Sequence, residues 1–201
     1  MIFEISSTLV KELRDKTGAG MMNCKKALQE TNGNFEAAIK VLRQKGLASA
    51  DKKSNRITIE GIINSYIHTG RKIGVLLELN CETDFVSRRE EFHELANNLA
   101  MQIAASPEVQ YINVNDIPNV IFEAEKEIEL QKEDLKEKPI QIRDKIMLGR
   151  VEKTLRGFAL LPQPFIRNPN ITVEELIKEK IAIFGENIKI KRFIRYTLGT
   201  E

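Results

Sequence analysis

"KIGVLLELNCETDFVSRREEF", Lys72–Phe92, decides the fold. Ile73, Val75, Leu77 and Leu79 recur at every second position, the period of a strand with one buried face. After Ser87 the period changes: Phe92, Leu95, Ala96, Leu99 and Ile103 fall on one side of a helix. Ser87–Glu90, "SRRE", fits a capping box, which predicts that this helix starts there. Strand and helix thus meet in one continuous segment, and the fold class expected is α+β. At the joint an acid and an aromatic stand side by side, Asp84 and Phe85. The ring either tucks against its own helix near Phe92 or is held out for a partner. Asn80–Glu82 offers no apolar pocket, and burying a charge beside the ring is costly, so the second reading is preferred.

Upstream, Ile57, Ile59, Gly61 and Ile63 alternate with polar residues, and "HTGRK" separates them from the quoted strand. The two runs predict a β-hairpin with Gly70 in its loop. Residues 1–46 read as three short helices. Leu9, Val10 and Leu13 share a face behind Ser6 or Ser7 as a cap, and Gly18 and Gly20 break the chain. Met21, Cys24 and Leu28 follow at helical spacing. Phe35, Ala38, Ile39 and Leu42 line a third stripe, with Asn34 as its cap and Gly46 as its stop. Residues 47–55 are small and polar and read as a linker, with residues 56–201 as an α+β core. The basic stretch Arg43–Arg56 is read as part of a solvated connection.

Downstream of Pro107, residues of about 119–157 form two charged helices with a thin apolar seam at Ile121, Ala124 and Ile128, expected as a protruding helical hairpin. "LLPQPFIRNPN" carries three prolines and is not helical throughout. A short helix beginning near Thr172 and a strand over Ile188–Leu198 complete the reading, in which the core holds an antiparallel sheet.

The 201 residues carry 31 basic and 29 acidic side chains, a net charge of +2 and 42% hydrophobic residues. A nucleic-acid binder would carry a larger, clustered basic excess, so direct nucleic-acid binding is not expected. No apolar run approaches the roughly 20 residues of a membrane helix, and the N-terminus has neither secretory nor transit character. Two cysteines, Cys24 and Cys81, make no disulfide framework and read as small buried hydrophobes. The wealth of Ile, Lys and Asn fits AT-rich codons, a plastid genome included.

No catalytic constellation emerges. His68 and His93 have no Cys or Asp at nucleophile or metal spacing in the local sequence, and Cys24 and Cys81 are no metal pair. "TGAGMM" has glycines before a helix, but it follows a helix and Asn23 stands where a dinucleotide fingerprint needs its third glycine. A helix-to-helix turn is the simpler reading. Met21 lies on the apolar stripe and reads as core. Met22 lies one position round, beside Lys26 and Gln29, and reads as a protein contact. Neither a metal nor a cofactor is expected, and neither is bond chemistry.

Two segments together resemble the signatures of the elongation factor Ts family: "LRDKTGAGMMNCKKAL", Leu13–Leu28, and "ELNCETDFVSR", Glu78–Arg88. The likeness runs on through "LLPQPFI", Leu160–Ile166, and "RFIRYTLGTE", Arg192–Glu201. That family is the guanine-nucleotide exchange factor of elongation factor Tu. The resemblance implies that Thr83, Asp84, Phe85 and Val86 enter the partner's nucleotide-binding domain near its magnesium and phosphate site. It implies that Arg14, Gly18, Met21 and Met22 bind the same domain from the N-terminal module. The core matches half of what longer members carry, like short forms that dimerise, so a homodimer is expected. With no cysteine after Cys81, a disulfide across its C-terminal region is not. The expected location is the bacterial cytoplasm or the plastid stroma. The three-helix module also resembles ubiquitin-associated domains in outline, which keeps open a plain docking module whose binding survives loss of Asp84 and Phe85.

Overall fold

The computed structural model describes residues 5–136 and 139–199. The first four residues of the expected module, residues 137–138 of the expected hairpin and the last two residues lie outside them. Helices α1 (Ser7–Thr17), α2 (Met21–Glu30) and α3 (Phe35–Asp51) lead to strands β1 (Glu60–Ile67) and β2 (Ile73–Cys81). A single helical turn, α4 (Asp84–Ser87), precedes α5 (Glu90–Ala105). Helices α6 (Asn119–Gln131), α7 (Glu133–Lys136) and α8 (Ile140–Phe158) follow, then β3 (Pro164–Phe165), β4 (Asn168–Thr172), α9 (Val173–Phe184) and β5 (Ile188–Thr197). The class is α+β, with a three-stranded sheet in the order β1-β2-β5 and a separate β3-β4 ribbon.

The chain forms two compact units. The first gathers Met1–Ile62, Glu78–His93 and Glu175–Lys191; the second gathers Ile63–Leu77, Glu94–Glu174 and Arg192–Glu201. In the first unit, α1–α3 close on Val10, Leu13, Cys24, Ala27, Leu28 and Ala38. The expected caps form: Ser6 Oγ accepts from the Leu9 N–H at 3.2 Å and Asn34 Oδ1 from the Ala37 N–H at 3.0 Å. Gly18 ends α1 at φ 67°, a left-handed conformation that suits glycine.

Three expectations are corrected here. Gly46 does not stop α3, which continues to Asp51 and takes in the first residues of the expected linker. Gly46 instead makes room for α9: a Cβ built on it lies 3.1 Å from the Ala182 Cβ. The basic stretch Arg43–Arg56 is not a free solvated connection either. Arg43 pairs with Glu175 and Glu179 at 3.4 Å each, Lys178 pairs with Asp51 at 2.9 Å, and the Asn187 side-chain N–H groups donate to the Ser54 and Arg56 carbonyls at 3.2 and 2.8 Å. Finally, Ser87 does not cap α5. It is buried at the end of α4, its hydroxyl donating to the Asp84 carbonyl at 3.1 Å, and α5 starts at Glu90.

In the second unit, α6 and α8 pack around Leu135, Met147, Val151 and Leu155, with Ile121, Phe122 and Leu130 against them. The seam is rotated from the one expected. Ala124 and Ile128 face outward, and buried Glu129 takes the inner position, bonded to Lys132 and Arg150. A buried carboxylate is tolerable when paired, and a hydrophobic count does not foresee it. The proline-rich "PFIRNPN" stretch forms the short β3-β4 ribbon, pairing Pro164 with Thr172 and Phe165 with Asn168.

Candidate functional site

The joint between β2 and α5 is a helical turn, and it sorts its four expected site residues. Val86 is buried and Thr83 and Asp84 are half-buried, but Phe85 is 81% exposed. The core has its own ring: Phe92 is fully buried, edge-on to Phe184 at 6.1 Å between centroids. Phe85 is therefore not the ring that fills the space beneath α5. Asp84 is paired with Arg88 at 2.8 Å, one helical turn on. An exposed i, i+4 pair of this kind is worth about 0.3–0.5 kcal/mol, weak enough to be exchanged for another contact.

The turn is held from behind. The Glu186 carboxylate accepts from the Glu82 N–H at 3.2 Å, the Thr83 N–H at 3.0 Å and the Thr83 hydroxyl at 2.6 Å. The Asn187 N–H donates to Glu82 Oε1 at 2.6 Å. Cys81 lies just before the turn, fully buried, with its thiol donating to the Thr83 carbonyl at 3.1 Å. Burial, followed by the nearby Glu186 charge, pushes that thiol up to about 11, so it is protonated and inert near neutral pH. Glu186 and Asn187 went unnoticed in the sequence because they lie about a hundred residues from the motif they support. No local signal ties "GEN" to "TDF".

In the three-helix module, Arg14 is exposed, and Met22 is 65% exposed, as its position predicts. Met21, expected in the core, is 42% exposed. As the first residue of α2 it stands beyond the layer that Cys24 and Leu28 complete, so the stripe's spacing overreaches by one turn. The two methionines therefore form one small apolar surface. Gly18 turns toward its own chain: a Cβ there would lie 3.3 Å from Ile183 on α9. Between this module and α9 runs a cleft of about 620 Å³ lined in part by Lys16, Lys26, Arg43, Lys45 and Glu179. Burial raises the Glu179 carboxyl above its usual range, against the pull of Arg43.

The family model described as Elongation factor TS matches residues 7–200. The chain belongs to the elongation factor Ts family. It is 62% identical over 199 residues to "Elongation factor Ts, chloroplastic" of Rhodomonas salina, covering 99% of this chain and 91% of that one. It is 60% identical over 199 residues to the chloroplastic protein of the same name from Guillardia theta, with 99% and 91% covered. "Elongation factor Ts" of Synechococcus elongatus is 59% identical over 196 residues, with 98% and 89% covered. Elongation factor Ts is a translation elongation factor, and this fixes the chain's broad role. Among the described residues, no group of three or more His, Cys, Asp or Glu is placed to hold a metal ion, and no helix is long and apolar enough to cross a membrane.

Proposed function

We propose that the chain binds elongation factor Tu carrying GDP and speeds release of the nucleotide, so that GTP can reload it. The observation that carries this reading is Phe85, a large ring 81% exposed on a turn whose neighbours are buried or bonded. A nucleotide bound with magnesium leaves slowly because oxygen ligands and the metal fix its phosphates. The factor must bind the empty partner more tightly than the loaded one, and the coupling is reciprocal. Phe85 wedges between packed elements of the partner, while Asp84, released from Arg88, disturbs charge near the metal. Thr83 and Val86 hold the turn that carries them. Arg14, Met21 and Met22 supply affinity, with Gly18 setting their turn. No bond is made or broken in this scheme, and no cofactor of its own takes part. The three-helix module, whose last helix runs on to Asp51, acts as the binding module, and the rest of the chain with its helical hairpin near 119–157 as the core. The site of action is the bacterial cytoplasm or the plastid stroma.

Release of fluorescently labelled GDP from elongation factor Tu, with and without the chain, is the test. The reading requires release to accelerate as the chain is added. Exposed Met21 and Met22 also favour a second reading, a docking module without exchange activity. That reading holds if the chain binds elongation factor Tu, leaves its GDP release unchanged, and binds equally well without Asp84 and Phe85.

A further inference from the structure

Thr83 stands at the N-cap of α4, the position where a threonine hydroxyl usually accepts from the first turn of its helix. Here it makes no such bond. Its hydroxyl donates to Glu186 instead, and the Thr83 and Glu82 N–H groups join it on the same carboxylate. Charge-assisted bonds of this kind are about twice as strong as neutral ones, and three donors fix both position and tilt. The connection between α9 and β5 is shaped to deliver this carboxylate. Gly185 takes φ 80° and its N–H returns to the Ile181 carbonyl at 2.9 Å, so α9 stops abruptly and the next residue turns onto the joint. Asn187 then locks the arrangement from both sides. Its N–H binds the Glu82 carboxylate, and its side chain binds the Ser54 and Arg56 carbonyls. The same α9 meets the three-helix module through Ile183 at Gly18, Ala182 at Gly46, and the pairs of Arg43 with Glu175 and Glu179.

We propose that Glu186 is a positioning residue for exchange, aiming Phe85 by holding the Glu82–Thr83 backbone, and that Asn187 braces it. The inference rests on the exchange reading given above. Glu186 touches no partner atom in this scheme; it acts through the direction of the turn. It adds nothing to affinity through Met21 and Met22, so its loss lowers the maximal rate of GDP release rather than the concentration needed for half of it.

The test uses the full chain and elongation factor Tu loaded with fluorescent GDP, in stopped flow. Glu186→Ala is expected to lower the maximal release rate about tenfold while the half-saturating concentration moves less than about twofold. Glu186→Gln, which keeps an acceptor but loses the charge, is expected to fall between. The double variant with Phe85→Ala is expected to be no slower than Phe85→Ala alone, because both changes remove one effect. A fluorine label on the Phe85 ring gives a readout free of the partner: one sharp resonance in the wild-type chain, shifted or broadened in Glu186→Ala. If Phe85→Ala is slow and both Glu186 variants release GDP at the wild-type rate, the positioning role is overturned and the exchange reading stands. If the two defects multiply, or the fluorine resonance is unchanged by Glu186→Ala, Glu186 does not act through the ring. If Phe85→Ala itself releases GDP at the wild-type rate, the ring does not carry exchange and the positioning role falls; if the wild-type chain does not accelerate release at all, the exchange reading falls.

Discussion

Two phenylalanines seven positions apart lie in opposite surroundings, and their substitution separates them. Phe92 is fully buried, and truncating a buried Phe to Ala costs about 3–5 kcal/mol. Phe85→Ala should cost under about 1 kcal/mol, seen as a melting curve close to wild type. Asp84→Ala should slow GDP release, and the defect should shrink when a chelator has already stripped magnesium from the partner. Met22→Ala should weaken binding to elongation factor Tu without lowering the melting temperature, since Met22 is mostly exposed. Cys81 gives a prediction in pH. Its folded-state thiol is raised to about 11 from an ordinary value of 9.0, so between those values the unfolded chain loses a proton that the folded chain keeps. Stability should therefore be fully present below about pH 9 and fall as pH rises toward 11. Cys81→Ala should flatten that part of the profile in chemical denaturation.

At the scale of elements, backbone sterics make the sharpest prediction. Gly61 in β1 has φ 148°, and a Cβ on it would lie 2.2 Å from the Leu79 carbonyl oxygen. Gly61→Ala should destabilise strongly, because strand backbone rather than a flexible side chain must move. Gly46→Leu should also destabilise, by forcing α9 away, although leucine favours a helix. These glycines show where the sequence was legible and where it was not. Period-two and period-3.6 patterns place β2, α1–α3, α5, α9 and β5, because each has one buried face; β1 shows the same alternation, but its apolar positions Ile63 and Ile67 are exposed. Ser6, Asn34 and Gly18 are read correctly because caps act on their nearest residues. Gly46 is misread as a stop because the reason for it is Ala182, far along the chain. Ser87 is misread as a cap because Thr83, not Ser87, begins the helical turn. The site divides in the same way. Exposed Phe85 and Met22 follow from local pattern, whereas Glu186 is reachable only through the fold.

For the whole molecule, the second unit leaves one face of its strands uncovered. Asn64 bonds to Asn97 and Arg195 to the Ala104 carbonyl, which marks the α5 side of the sheet. The alternate positions Ile63, Ile67, Leu76, Ile194 and Tyr196 are all exposed. Such a face calls for cover, and we propose a second copy as the cover. Sedimentation equilibrium at micromolar concentration should give twice 22.9 kDa, and Ile63→Glu should return the species to 22.9 kDa. A wild-type chain that sediments only at 22.9 kDa rules the homodimer out. The central claim, however, concerns Phe85, and one comparison reaches it: the rate of labelled GDP release from elongation factor Tu at saturating wild-type chain and at saturating Phe85→Ala. The account predicts a folded variant that still binds yet releases GDP at least about tenfold more slowly, about 1.4 kcal/mol of lost barrier reduction. Equal release rates from the two chains would contradict it.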